Sequence, residues 1–250
     1  MSSIKIVIPA RYGSSRLEGK PLLEIVGKPI FWHVYQRCLE VGFEQQSIVL
    51  ATDDERIFSK AVELNLSVVM TSVTHKSGTD RINEVATKLG WAPDDIVINV
   101  QGDEPLIPKQ LISIVANFSS NNPQFDISTA VTSIDSVKSF ENPNVVKAIL
   151  GEKQQALYFT RSQAPFNRDN KCDISMAYRH IGIYAYRVNA LNQFCSYPES
   201  ALERYEKLEQ LRALSNGMSI GVCVYKGDLP HGVDTYEDYQ AIKDKMELMQ

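Results

Sequence analysis

The stretch Ile4-Lys-Ile-Val-Ile-Pro-Ala-Arg-Tyr-Gly-Ser-Ser-Arg-Leu-Glu-Gly-Lys-Pro21 decides how this chain is read. Its first five residues make an apolar run of strand length. A loop with Gly13, Gly19, two serines and the cations Arg11, Arg16 and Lys20 follows at once. In open α/β sheets, ligands bind beyond the carboxyl ends of the strands. Glycines allow close backbone approach, and N–H groups with fixed positive charge suit a triphosphate. The spacing is neither Gly-x-x-x-x-Gly-Lys-Ser/Thr nor Gly-x-Gly-x-x-Gly, so a P-loop NTPase and a standard dinucleotide site lose ground. Taken alone, the same loop also reads as a solvated surface segment.

Outward from this stretch, strand and helix signals alternate. Helical character runs from about Pro29 to Gly42, and Ser47 to Thr52 is the next strand. Asp53 or Asp54 can cap a helix through Leu64. Strands follow at Ser67 to Thr71 and Asp95 to Val100, with a helix between them over Thr79 to Leu89. Such alternation implies right-handed βαβ units and a mostly parallel sheet. After Pro108 the pattern loosens. A helix to about Ser119 precedes strands at Ile127 to Ser133, Val145 to Leu150, Ala156 to Phe159 and Ile181 to Tyr186, which suit an antiparallel extension. Leu202 to Leu214 reads as one helix stopped by Asn216-Gly217. Ser219 to Tyr225 is a last strand, and Thr235 to Met249 a closing helix with Asp234 as a candidate cap.

Composition narrows the functional classes. A formal net charge of −4 argues against non-specific nucleic-acid binding, yet permits a locally basic pocket. The longest apolar runs are strand-sized, so no membrane-spanning helix is expected. With Ile4 already in a strand pattern, no signal peptide is expected either. Cys38, Cys172, Cys195 and Cys223 lie far apart without Cys-x-x-Cys spacing, as for reduced thiols in a cytoplasmic protein.

Two more segments follow strands. In Gln101-Gly-Asp-Glu-Pro105, a carboxylate at a strand's end is placed for Mg²⁺, which takes oxygen ligands and bridges substrate phosphates. Asp103 reads equally as a helix cap. In His231-Gly-Val-Asp234-Thr235, Asp234 can complete a two-carboxylate site or cap the last helix. His231 has no second His or Cys at ligand spacing and reads as a loop residue.

These residues, with others in order, carry a resemblance. After the opening stretch come Ala51-Thr-Asp53, Ser77-Gly-Thr-Asp-Arg81, Val100-Gln-Gly-Asp-Glu-Pro105 and Ala156-Leu-Tyr-Phe-Thr-Arg161. Arg179-His-Ile-Gly-Ile-Tyr184, Leu208-Glu-Gln-Leu-Arg212 and Gly232-Val-Asp-Thr235 complete the series. From end to end the chain resembles the CMP-Kdo synthetases, the 3-deoxy-manno-octulosonate cytidylyltransferases.

The resemblance implies a Rossmann-like nucleotidyltransferase fold with a mostly parallel mixed sheet and a smaller antiparallel dimerisation lobe. The expectation is one domain over residues 1–250, with the lobe interleaved roughly within 134–217. It implies a cytidylyltransferase that couples CTP to Kdo or its 8-amino-8-deoxy analogue, releasing pyrophosphate, for lipopolysaccharide biosynthesis. Pro9, Ala10, Arg11, Ser14, Lys20, Ser77, Gly78, Thr79, Arg81, Gln101 and Asp103 would contact the nucleotide. Arg16, Gln101, Arg161, His180, Tyr184, Glu209 and Gln210 would surround the sugar acid. Asp103 and Asp234 would bind Mg²⁺, and Arg16, Lys20, Asp103 and Asp234 would carry the catalysis. A homodimer is implied, without nucleic-acid or membrane partners.

Without the family, several residues read more plainly. Ser77 to Arg81 is a helix start with Thr79 as cap, and Arg161 is a surface charge. His180 and Tyr184 are ordinary residues of a half-buried strand. Glu209 lies seven residues after Leu202, on the same face of the expected helix. Glu18 stands where the family commonly has proline, and Pro165-Phe-Asn-Arg168 and Pro230-His231 also depart from the family text. Another sugar nucleotidyltransferase of sialic-acid type, and a catalytically silent nucleotide-binding protein of the same fold, are the rival readings.

Overall fold

The computed structural model describes residues 2–13, 16–75 and 77–249. In chain order the elements begin with β1 (Ile4–Ala10), the short strands β2 (Glu24–Ile25) and β3 (Lys28–Pro29), and α1 (Ile30–Glu40). Next come β4 (Ile48–Thr52), α2 (Glu55–Glu63), β5 (Val68–Met70), α3 (Gly78–Lys88), β6 (Ile96–Asn99) and α4 (Lys109–Asn121). The later chain holds β7 (Ile127–Ser133), α5 (Val137–Glu141), β8 (Lys147–Leu150), β9 (Ala156–Thr160), β10 (Tyr178–Arg187) and α6 (Val188–Ser196). It closes with α7 (Ala201–Glu206), α8 (Gln210–Ser215), β11 (Ile220–Val224) and α9 (Tyr236–Glu247). The contacts divide the chain into two compact units, Met1–Ser113 with Asp228–Gln250, and Ile114–Gly227.

In the first unit, β6, β1, β4 and β5 pair in parallel in that order. Every residue of β4 and β6 is buried, the near-continuous apolar run of a parallel strand covered on both faces. A second cluster holds the segments that matter for the site. Ile25, Ile30, Leu106, Val233, Tyr239 and Ile242 pack together, with Leu17 and Leu23 against them. It ties the loop after β1 to α9 and to the segment before it.

In the second unit β11 runs parallel to β7, while β7–β10, β10–β8 and β8–β9 pair antiparallel. This is the expected α/β fold with a mostly parallel sheet and an antiparallel part.

Three local expectations are corrected. α3 is capped by Ser77, whose side chain accepts from Asp80 N–H, not by Thr79. α9 is capped by Thr235 in a capping box with Asp238, not by Asp234. The expected helix from Leu202 to Leu214 is two helices. Lys207 adopts a left-handed conformation (φ 55°) that ends α7, and α8 begins afresh at Gln210. Leu202 and Glu209 therefore share no helix face. The sequence reading also missed α5, α6 and the β2–β3 ribbon.

Candidate active site

The first unit gathers three loops around one buried cation. Lys20 is only 9% exposed. Its Nζ lies 2.5 Å from Asp103 Oδ2 and donates to the carbonyl of Val233 at 2.7 Å. Asp234 Oδ1 is 3.6 Å from the same ammonium and 2.9 Å from Arg16 Nη2. Arg16, Lys20, Asp103 and Asp234 thus form one alternating set of charges, drawn from the segments after β1, after β6 and before α9.

Backbone geometry holds these loops in place. Val233 N–H donates to Asp103 O at 2.8 Å, joining two of the loops directly. A Cβ added at Gly102 would lie 2.5 Å from the carbonyl oxygen of Pro9, so only glycine lets the segment after β6 pass this close to β1. Gly19 has φ +67°, and its N–H donates to Tyr12 O at 2.9 Å, closing the loop that delivers Lys20. Neither aspartate caps a helix. Thr235 caps α9, and Asp103 lies well before α4, so neither carboxylate serves a helix end.

The other described nucleotide candidates lie at the end of β1, just after β6 and in the first turn of α3. Pro9 and Ala10 end β1, and a Cβ added at Gly78 would lie 3.7 Å from the Pro9 ring. Arg11 is exposed and makes no ion pair among the described residues. Ser14 lies outside the described residues. Thr79 is buried at the start of α3, and Gln101 is half-buried beside Gly102. Arg81 is fully buried and bonds Asp53 at 2.6 Å as well as the Thr71 hydroxyl. A buried guanidinium needs such partners. Arg81 therefore braces the segment after β4 through Asp53, a residue that the sequence reading gives as a candidate cap and as part of the Ala51-Thr-Asp53 landmark. The signal was the doubled Asp53-Asp54: Asp54 caps α2, which leaves Asp53 for another task.

Glu18, where the family commonly has proline, is exposed, and its charge acts on Arg56. That guanidinium lies 3.2 Å over the Tyr12 ring and binds Asp54. The added anion is thus met by a nearby cation.

The second unit holds the sugar candidates. Within β10 the register slips between Ile181 and Tyr184, so Gly182 and Ile183 bulge out of the ladder with β7. His180 pairs with Val131 and Tyr184 with Thr129, positions two apart on one face. Their rings consequently meet at 5.3 Å, and Phe159 closes on His180 edge-on at 5.0 Å. Burial pushes the His180 pKa down to about 3, so the ring is neutral. Burial, and then the charge of Glu209, pushes the Tyr184 phenol up, which places Glu209 in the same neighbourhood.

Glu209 and Gln210 stand at the break between α7 and α8, and Gln210 is buried with no hydrogen-bond partner for Nε2 among the described residues. The break is held by Arg212, which forks onto Glu203 at 2.6 and 2.9 Å. Arg161 takes a supporting part. Its guanidinium donates to the carbonyls of Glu206 (2.7 Å), Pro143 (2.9 Å) and Lys207 (3.4 Å), closing off the end of α7.

The cytidylyltransferase family model matches residues 5–220. A 3-deoxy-manno-octulosonate cytidylyltransferase of Cellvibrio japonicus (strain Ueda107) is 45% identical, covering 99% of this chain and 100% of its own. One from Alteromonas mediterranea (strain DSM 17117 / CIP 110805 / LMG 28347 / Deep ecotype) is 49% identical, covering 96% and 98%. A solved structure of CMP:2-keto-3-deoxy-manno-octonic acid synthetase complexed with CTP is similar with a TM-score of 0.91 at 38% identity, over 100% of both chains. A cytidylyltransferase from Leptospira borgpetersenii serovar Hardjo-bovis (strain JB197) shares the fold alone, at a TM-score of 0.64 and 19% identity over 99% of this chain and 88% of that one. With a family model matching residues 5–220 and end-to-end similarity to these enzymes, the chain belongs to the cytidylyltransferase family, as a member of its 3-deoxy-manno-octulosonate (CMP-Kdo synthetase) group.

Proposed function

We propose that this enzyme joins CTP to the anomeric hydroxyl of a 3-deoxy-octulosonate sugar acid, giving the CMP-sugar and pyrophosphate. The observation that most supports the reading is the convergence of Arg16, Lys20, Asp103 and Asp234 from three separate loops. The names of the relatives agree with it.

In-line attack on the α-phosphorus asks for positioning and charge neutralisation rather than covalent help. Lys20 and Arg11 would hold the triphosphate, with Ser77, Gly78 and Thr79 near the nucleotide. Arg16, exposed at the surface beside Asp234, would meet the sugar carboxylate, to which its planar fork is matched. His180, Tyr184, Glu209 and Gln210 would bind the sugar hydroxyls. Arg161 keeps two of its five N–H donors for the same purpose.

Asp103 and Asp234 fit Mg²⁺. Both are partly exposed, and both already turn an oxygen toward one shared cation, the Lys20 ammonium. The described residues contain no cluster of three or more potential protein ligands, so phosphates and water would complete the shell, as Mg²⁺ prefers. When bound, the ion would withdraw charge from the α-phosphate and ease ionisation of the attacking hydroxyl.

We take the acceptor to be Kdo or its 8-amino-8-deoxy analogue, which share the reacting end, and the working form to be a cytoplasmic homodimer. No helix among the described residues is long and apolar enough to cross a membrane. The deciding experiment measures pyrophosphate release from a panel of nucleoside triphosphates with Kdo, 8-amino-Kdo and sialic acid. Release with CTP and an octulosonate is expected, and a preference above about a hundredfold in kcat/KM would name the acceptor. Release with sialic acid alone would establish the sialic-acid reading. No release with any acid would establish the silent one.

A further inference from the structure

Thr129 on β7 is fully buried, and its hydroxyl touches three groups. It lies 2.7 Å from the carbonyl oxygen of Ile183, 3.2 Å from that of Ile181, and 3.0 Å from His180 Nε2. The two carbonyls belong to the bulge in β10, where the ladder with β7 is interrupted. A buried carbonyl without a donor is costly, and the Thr129 hydroxyl supplies one.

A hydroxyl has one hydrogen. Two oxygens 2.7 Å apart repel unless a hydrogen lies between them, so that hydrogen points at the Ile183 carbonyl. Toward His180 the hydroxyl oxygen can then only accept. Nε2 must carry the ring proton. Burial keeps the imidazole neutral, so Nδ1 is left with its lone pair, and it has no hydrogen bond among the described residues.

We infer that Thr129 is a positioning residue that fixes His180 as the Nε2–H tautomer, so that Nδ1 accepts a hydrogen bond from a hydroxyl of the sugar acid. The inference rests on the reading of His180 as a sugar-binding residue. It goes further in assigning His180 one polarity: an acceptor for a neutral hydroxyl, not a cation for the carboxylate. An acceptor of this kind discriminates against sugar acids that lack the hydroxyl or carry it in the opposite configuration.

The test is ¹⁵N NMR of the full chain labelled at histidine, with His180 assigned by its loss in His180→Gln. The wild-type ring is expected to show a protonated-type Nε2 and an unprotonated-type Nδ1 at pH 7. Thr129→Val should shift the tautomer balance toward Nδ1–H and raise KM for the sugar acid about tenfold, leaving KM for CTP unchanged. Thr129→Ser should restore both. A wild-type Nδ1–H signature overturns the inference even if the valine variant fails to fold. So does a folded Thr129→Val protein with an unchanged spectrum and unchanged sugar KM. If the spectra behave as expected but His180→Gln leaves the sugar KM unchanged, the sugar-binding reading itself fails and Thr129 positions His180 for some other end.

Discussion

The ammonium of Lys20 and the carboxylate of Asp103 lie 2.5 Å apart across a separation of 83 residues. Of the three cations in the loop after β1, Lys20 alone is buried. It is also bonded to the loop before α9 through Val233 O. Lys20 is therefore both a phosphate-binding candidate and the joint of the site.

Lys20→Met should weaken CTP binding and slow turnover together. Loss of a charge-assisted contact is worth about 1.5–3 kcal/mol, or roughly ten- to a hundredfold in kcat/KM. The two aspartates would also face each other without their shared cation. Calorimetric titration with CTP and steady-state kinetics test this. Unchanged affinity with unchanged turnover would reduce the segment to a surface loop.

Asp234 and Thr235 are neighbours with separable duties. Asp234→Asn should reduce turnover at least about a hundredfold at saturating Mg²⁺, with thermal unfolding unaltered. Thr235→Ala removes the capping hydroxyl of α9 and should cost about 1 kcal/mol, roughly 2–4 °C in Tm, with far less effect on turnover. If the stability loss follows Asp234 instead, Asp234 is structural and leaves the proposed metal site.

Much of this was legible in the sequence because its causes are local. Buried parallel strands announce themselves as apolar runs, and β7 begins and ends where its pattern does, at Ile127 and Ser133. The three loops could be found because each follows a strand or precedes a capped helix. What could not be read is non-local or conformational. Nothing in the text around Lys207 marks a left-handed residue, so α7 and α8 were merged. Two extra residues in β10 bring His180 and Tyr184 together, and the slip shows only against β7. The Arg81–Asp53 pair joins residues 28 apart that fold alone makes neighbours.

Gly102 should be irreplaceable and Gly13 not. An alanine methyl at position 102 would meet the backbone oxygen of Pro9 at 2.5 Å, a clash with main chain rather than with a side chain that could swing away. Gly102→Ala should cost at least about 1–3 kcal/mol and displace Asp103 from Lys20, lowering stability and turnover together. At Gly13 a Cβ meets nothing within 4 Å among the described residues, so Gly13→Ala should leave Tm unchanged. Thermal unfolding of the two variants checks this. Equal Tm values would mean the loops after β1 and β6 are not held in contact.

The pH dependence of stability should carry the signature of His180. Burial lowers its folded pKa to about 3, below the ordinary value of 6.5. Between these values the unfolded chain takes up a proton that the folded chain refuses. This contribution to stability is therefore complete above about pH 6.5 and is lost as the pH falls toward 3. Its slope is at most about 1.4 kcal/mol per pH unit. His33 is shifted in the same direction, also chiefly by burial, so the total curve cannot isolate one ring. The difference between wild type and His180→Gln can. Urea unfolding at a series of pH values from 7.5 to about 4.5 should show the wild-type advantage shrinking on acidification. Parallel curves would mean that His180 titrates alike in both states, and that burial does not hold its imidazole neutral on acidification.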